Sequence, residues 1–221
     1  MIRTLKGLGL AFIAVLAMSA LGSTAANASV EFTCSAYPCT ATGSNTLGNE
    51  KFTTEAGTVE CDSHFLVEKY NAIKEDIPEQ ATTVTVTANY DLSPCTAFGF
   101  LSATVDMMSC DYVFHATERV SAGVYKHHVD VVCTNAGDAI TITASTCTAD
   151  VPAQTGLTTV KTTNLANGTV TVQPEVNNIT INVTKDGIGC PFSGTGHKIG
   201  SYHGDVTISR VGGGTISVSG E

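Results

Sequence analysis

The sequence has no tryptophan, and its aromatic residues are 6 tyrosines and 8 phenylalanines among 221 residues. Flat aromatic platforms on which sugars stack are therefore scarce. Basic residues are few as well: 11 Lys and Arg stand against 20 Asp and Glu, a net charge of −9. Nucleic acids and anionic membrane surfaces both need clustered Lys and Arg, so neither is an expected partner. No Cys-x-x-Cys is present, nor closely spaced Cys and His pairs, which removes zinc sites of the usual spacing. Gly-x-Ser-x-Gly is missing too, and with it the nucleophile elbow of the common hydrolase fold. Beyond the N-terminal stretch, no apolar run approaches the ~20 residues that a membrane span requires.

What is present begins with an address. "MIRTLKGLG" carries Arg3 and Lys6, "LAFIAVLAMSALG" is apolar but short of a span, and "ANA" offers small residues before Ser29. This is the layout of a secretory signal peptide over residues 1–28, cleaved after Ala28. A residue other than cysteine after the cleavage site argues against a lipoprotein. Removing Arg3 and Lys6 leaves 9 basic side chains against 20 acidic, a net charge near −11 that keeps an exported protein soluble. The expected location is secreted, extracellular or at the cell surface, with a cell-envelope or extracellular protein as partner and no cofactor.

All 8 cysteines follow the signal. An even set in an exported chain reads as four disulfides, which leaves no thiol for catalysis. Strict alternation dominates the rest: "TTVTVTANY" sets Val84, Val86, Ala88 and Tyr90 on one face and threonines on the other. "AITITAS", "NITINVT" and "TISVS" repeat the scheme, with turn signals between them such as Asn167-Gly168 and "VGGGT". Strands dry on one face and wet on the other belong to antiparallel sheets. The expected fold is an all-β, disulfide-braced antiparallel sandwich, immunoglobulin-like or Greek-key, over residues 29–221, with 29–50 as a short N-terminal extension. The charge-rich stretch 67–80 reads as a strand followed by a solvated loop.

The cysteines act as a ruler. Residues 111–118 and 124–133 flank "RVSAG", a hairpin loop. If the loop is centred between Ser121 and Ala122, opposing positions sum to 243 and Cys110 faces Cys133. Directly opposed Cβ atoms lie ~4.5 to 5.5 Å apart, close to what a disulfide needs. Cys61 with Cys95 and Cys147 with Cys190 follow as weaker pairs, leaving Cys34 and Cys39 to close a small loop.

Five segments, "FTTEAGTVEC", "PCTAFGFLSATV", "CDYVFHA", "VPAQTGL" and "CPFSGTG", resemble a group of uncharacterised exported cysteine-containing β proteins of soil actinobacteria. The resemblance implies a secreted bacterial β protein and carries no chemistry. Sequons at Asn167, Asn178 and Asn182 are accordingly read as strand and turn residues.

Candidate chemistry centres on "VYKHHVDVVC". Neighbours in a strand point to opposite faces, so His127 and His128 cannot hold one ion together. Tyr125, His127, Val129, Val131 and Cys133 form the core face, with His127 near its edge. On the other face, the same register sets His128 opposite His115, with Asp130 beside it and Asp111 further on. His115, His128 and Asp130 could hold zinc or copper; the alternative is an exposed histidine pair on a wet sheet. His197 and His203, in "GTGHKIGSYHGD", would serve a secreted hydrolase. Acidic loops around Asp62, Asp138 and Asp186 offer oxygen ligands to calcium, without an EF-hand loop. The function these features favour is a secreted or cell-envelope interaction module and not an enzyme; a secreted hydrolase and a metal-binding extracellular protein are the alternatives.

Overall fold

The computed structural model describes residues 29–37, 39–45, 50–61, 75–77, 81–88, 90, 95–192 and 194–221. The expected signal peptide, Asp62 and most of 67–80 lie outside them; of the last stretch only a short strand at 75–77 is described. Every regular element among the described residues is a strand. In chain order these are β1 (Glu31–Cys34), β2 (Cys39–Asn45), β3 (Glu50–Thr54), β4 (Gly57–Cys61), β5 (Glu75–Ile77) and β6 (Thr83–Val86). They continue with β7 (Cys95–Ala97), β8 (Leu101–Asp106), β9 (Cys110–Ser121), β10 (Val124–Cys133), β11 (Ala139–Ala144) and β12 (Cys147–Pro152). The last five are β13 (Gln154–Asn164), β14 (Val170–Asp186), β15 (Gly196–His203), β16 (Val206–Arg210) and β17 (Ile216–Ser219). No helix among the described residues is long and apolar enough to cross a membrane.

The all-β expectation holds, but the architecture is a barrel and not a sandwich. β14, β15, β3, β4, β7, β8, β11 and β12 pair in that order, and β12 returns to β14 through rungs from Cys147–Asp186 to Asp150–Asn182. Eight strands thus close on themselves, which satisfies the edge hydrogen bonds that a sandwich leaves open. Alternation fills the inside: Val105, Ile142, Val151, Ile181 and Val183 point inward and are buried, while intervening threonines face out. At Gly200 an added Cβ would stand 2.7 Å from the Phe52 ring, so a β15 residue with a side chain could not lie so close to β3.

β14 is 17 residues long and belongs to two structures. Its second half is a barrel strand, whereas its first half pairs with β13 and β16 in a curved sheet ordered β6-β9-β10-β13-β14-β16-β2-β5. The change of partners coincides with an irregularity between Val176 and Ile179, where Asn178 takes a φ of 60°. A bulge of this kind re-aims a strand. Beside it, the Gln154 side chain serves as a missing rung: its amide nitrogen Nε2 donates to Thr180 O at 3.0 Å and its Oε1 accepts from Thr180 N at 3.0 Å. Asn164 does the same for Val218, at 2.7 and 2.9 Å, and so ties in the two-stranded ribbon of β1 and β17. Residues 29–50 supply β1, β2 and the start of β3. Val30, just before β1, and Ile216 and Val218 of β17 form a second core with Tyr125, Val170 and Ala41.

Four disulfides join Cys34–Cys39, Cys61–Cys95, Cys110–Cys133 and Cys147–Cys190, and no described cysteine is free. Cys61 and Cys95 are register partners across β4 and β7, as are Cys110 and Cys133 across β9 and β10. The hairpin reaches that register by a different route from the one expected. Its loop is only Ala122-Gly123, with Gly123 at a φ of 72°, and Ser121 faces Val124. Two irregularities, between Val124 and Tyr125 and between Lys126 and His127, then slip the ladder. From His127 onward the pairing is the one that sets Cys133 against Cys110.

Candidate functional site

The corrected hairpin still brings the predicted surface residues together. His128 is the direct partner of His115, and their rings stack with centroids 4.4 Å apart and planes 14° from parallel. His115 Nε2 lies 3.0 Å from Asp130 Oδ2, while Asp130 Oδ1 accepts a 2.7 Å hydrogen bond from the Gly156 amide of β13. One potential ligand atom from each of the three side chains lies within 4.8 Å of the other two. All three residues are half-buried. Asp111 stands apart, accepting from Thr87 Oγ1 at 2.6 Å.

His127 is not at the edge of the core face but inside it. It is 2% exposed, stacks on Phe32 at 5.3 Å and pairs with Thr162 Oγ1 at 2.7 Å. Burial holds its pKa down to about 4, which keeps the ring neutral near pH 7. The end of the core face, where the sequence sets His127, is covered by Phe32 of β1, a long-range contact that alternation does not encode.

His197 and His203 both lie on exposed positions of β15. Six residues of strand span ~20 Å, so they do not share a site. Asp138 is in the turn after β10, where hydrogen bonds from Ser109 and Asn135 lower its pKa, and Asp186 ends β14. They occupy separate turns. Asn167 accepts from Thr169 in a turn, Asn178 sits in the β14 irregularity, and Asn182 is a barrel rung.

A second chemical feature was not visible in the sequence. A partly open cavity of about 230 Å³ runs from the barrel interior to the curved sheet, lined by apolar side chains such as Val105, Ile142, Val131, Val160, Val176 and Ile208. Val84, Val86, Ala88 and Tyr90, the face that alternation assigns to the core, also line it. One carboxyl group stands in this lining. Glu50, at the start of β3, is 8% exposed and faces the cavity with Tyr90, Tyr112 and Tyr202.

Buried Glu50 and the three half-buried tyrosines form a hydrogen-bonding centre. Loss of water raises the Glu50 pKa, an effect partly offset by a hydrogen bond with Tyr202. Burial likewise pushes the Tyr112 phenol up to about 12, and those of Tyr90 and Tyr202 well above their ordinary value. The phenols are therefore neutral donors, and Tyr90 and Tyr112 hydroxyls lie 3.4 Å apart. Such a group can donate to, or accept from, the polar end of a guest molecule. In sequence, only the alternation of Tyr90 and Tyr112 with apolar neighbours pointed inward.

Comparison of the chain with protein-family models, with curated proteins and with solved structures finds no match. The site must be read on its own chemistry.

Proposed function

We propose that the protein is an exported interaction module whose ligand is a small apolar molecule with one hydrogen-bonding end, held inside the fold. The observation that carries this reading is the Glu50 carboxyl, 8% exposed and facing a cavity of about 230 Å³ that is otherwise mostly apolar. A buried ionisable group in an apolar wall is costly without a partner, and the tyrosines supply only part of what it can bond. Four disulfides are typical of extracellular proteins, which supports export. The separation of His197 from His203 favours binding over hydrolysis.

Size narrows the ligand. A dry cavity of ~150 Å³ accepts benzene, so this one suits a guest of about ten non-hydrogen atoms, such as a medium-chain alcohol or a monocyclic terpenoid. Isothermal titration of straight-chain primary alcohols from hexanol to dodecanol tests the reading. Affinity should rise with chain length and then break off when the chain outgrows the cavity, and Val105→Phe should weaken all of them. No saturable heat from any member, in a protein shown to be folded, contradicts it.

A further inference from the structure

We propose that His115, His128 and Asp130 bind a divalent transition-metal ion of the zinc class on the solvent-facing side of β9 and β10. The proposal is independent of the interior ligand, since the three side chains lie on the face opposite Val129 and Val131, which line the cavity.

Strand geometry sets the donors. Residues i and i+2 share a face, so His128 and Asp130 project together, and the cross-strand partner of His128 is His115. The ligand atoms lie within 4.8 Å of one another and His115 Nε2 is already 3.0 Å from Asp130 Oδ2. Ligands at ~2.0 to 2.2 Å from a tetrahedral ion are themselves separated by roughly 3.3 Å. Closing the site therefore needs side-chain torsions and no movement of the ladder.

Two features favour an ion over a plain ion pair. The Gly156 amide holds Asp130 Oδ1 at 2.7 Å, which fixes the carboxylate and leaves Oδ2 directed at the histidines; a ligating carboxylate is commonly steadied by such an outer contact. The imidazoles already stand together on one face of the sheet, stacked with centroids 4.4 Å apart, so two nitrogen donors meet the carboxylate without rearrangement of the strands. The backbone beneath is stapled by Cys110–Cys133, five residues along each strand.

Donor chemistry names the ion. Two imidazole nitrogens and one carboxylate oxygen suit zinc or copper, while calcium and magnesium prefer all-oxygen sites. Three protein ligands leave a fourth position for water or an outside group. On binding at Nε2, the single N–H of a neutral His115 ring sits on Nδ1, and the ion takes the place between His115 and Asp130. An ion there would tie β9 to β10 and, through Gly156, to β13.

The test is calorimetric titration of the full, untagged, disulfide-bonded protein with zinc chloride, with copper and calcium chlorides in parallel. One equivalent of zinc should bind with micromolar affinity, copper more tightly, and calcium not at all. His115→Ala and His128→Ala should each weaken zinc by at least about tenfold, and Asp130→Asn should do so less severely. His197→Ala, a change at an exposed histidine outside the cluster, should leave binding as it was. Circular dichroism and melting curves establish that each variant is folded. Absence of zinc binding by the wild-type protein overturns the proposal, as does a folded His115→Ala variant that keeps the original affinity.

Discussion

Cys133 stands directly across the β9–β10 ladder from Cys110 and is bonded to it, and the same register carries His128 to His115. The disulfide closes a separation of 23 residues, for which chain entropy gives about 3 kcal/mol. Replacing both cysteines by alanine should lower the unfolding free energy by that amount in urea titrations. A loss below about 1 kcal/mol would mean that the hairpin holds its register without the bond.

His127 predicts an acid-sensitive core. Its pKa falls from 6.5 in the unfolded chain to about 4 in the fold because it is buried. Below pH 6.5 the unfolded chain takes up the proton first, so this contribution to stability is complete above 6.5 and is lost as the pH falls towards 4. The loss should reach about 3 kcal/mol. His127→Gln keeps a hydrogen-bonding group but cannot titrate in this range. Its stability should fall less steeply over the same interval; equal slopes for variant and wild type would place the proton elsewhere.

Glu50 acts in the opposite sense. Burial raises its pKa, so the folded state binds the proton more tightly than the unfolded one. Its favourable contribution is present below pH 4.5 and is lost as the pH rises through the folded value. Glu50→Gln should therefore gain stability relative to wild type between acid and neutral pH, by denaturant titration at both. A difference that does not change with pH would show that the carboxyl is solvated.

Gln154 completes the ladder where β14 changes partners. Gln154→Ala leaves the Thr180 amide and carbonyl without the side chain that bonds both, at a cost of about 1 to 3 kcal/mol. Gln154→Glu should be destabilising too, because it can accept from the amide but cannot donate to the carbonyl. Hydrogen exchange at Thr180 should quicken in both, and unchanged protection would assign its amide to another acceptor.

These sites differ in how far the sequence discloses them. Alternation over Thr83–Val86 and Ala139–Ala144 sorts the inward from the outward face because a strand has a period of two, whatever its partner. The Cys110–Cys133 register was accessible because both cysteines lie in one hairpin, although two compensating slips replaced the simple loop that the spacing invites. Barrel closure between β12 and β14 was not, since which strand completes a sheet is a long-range choice that local pattern does not encode. Nor was the Glu50 centre, whose four members come from residues 50, 90, 112 and 202 and meet only where the curved sheet packs on β3 and β15. His127 was misplaced for a related reason: β1, from the far end of the chain, covers it with Phe32.

The interior ligand is the central claim, and a crystal structure of the full protein grown with decanol tests it most directly. The account predicts continuous density for the alkyl chain between the barrel and the curved sheet, beside Val105 and Val176, with the hydroxyl within hydrogen-bonding distance of Glu50 or Tyr202. An interior closed by protein side chains, with Glu50 turned to solvent and no density between the two sheets, would contradict it.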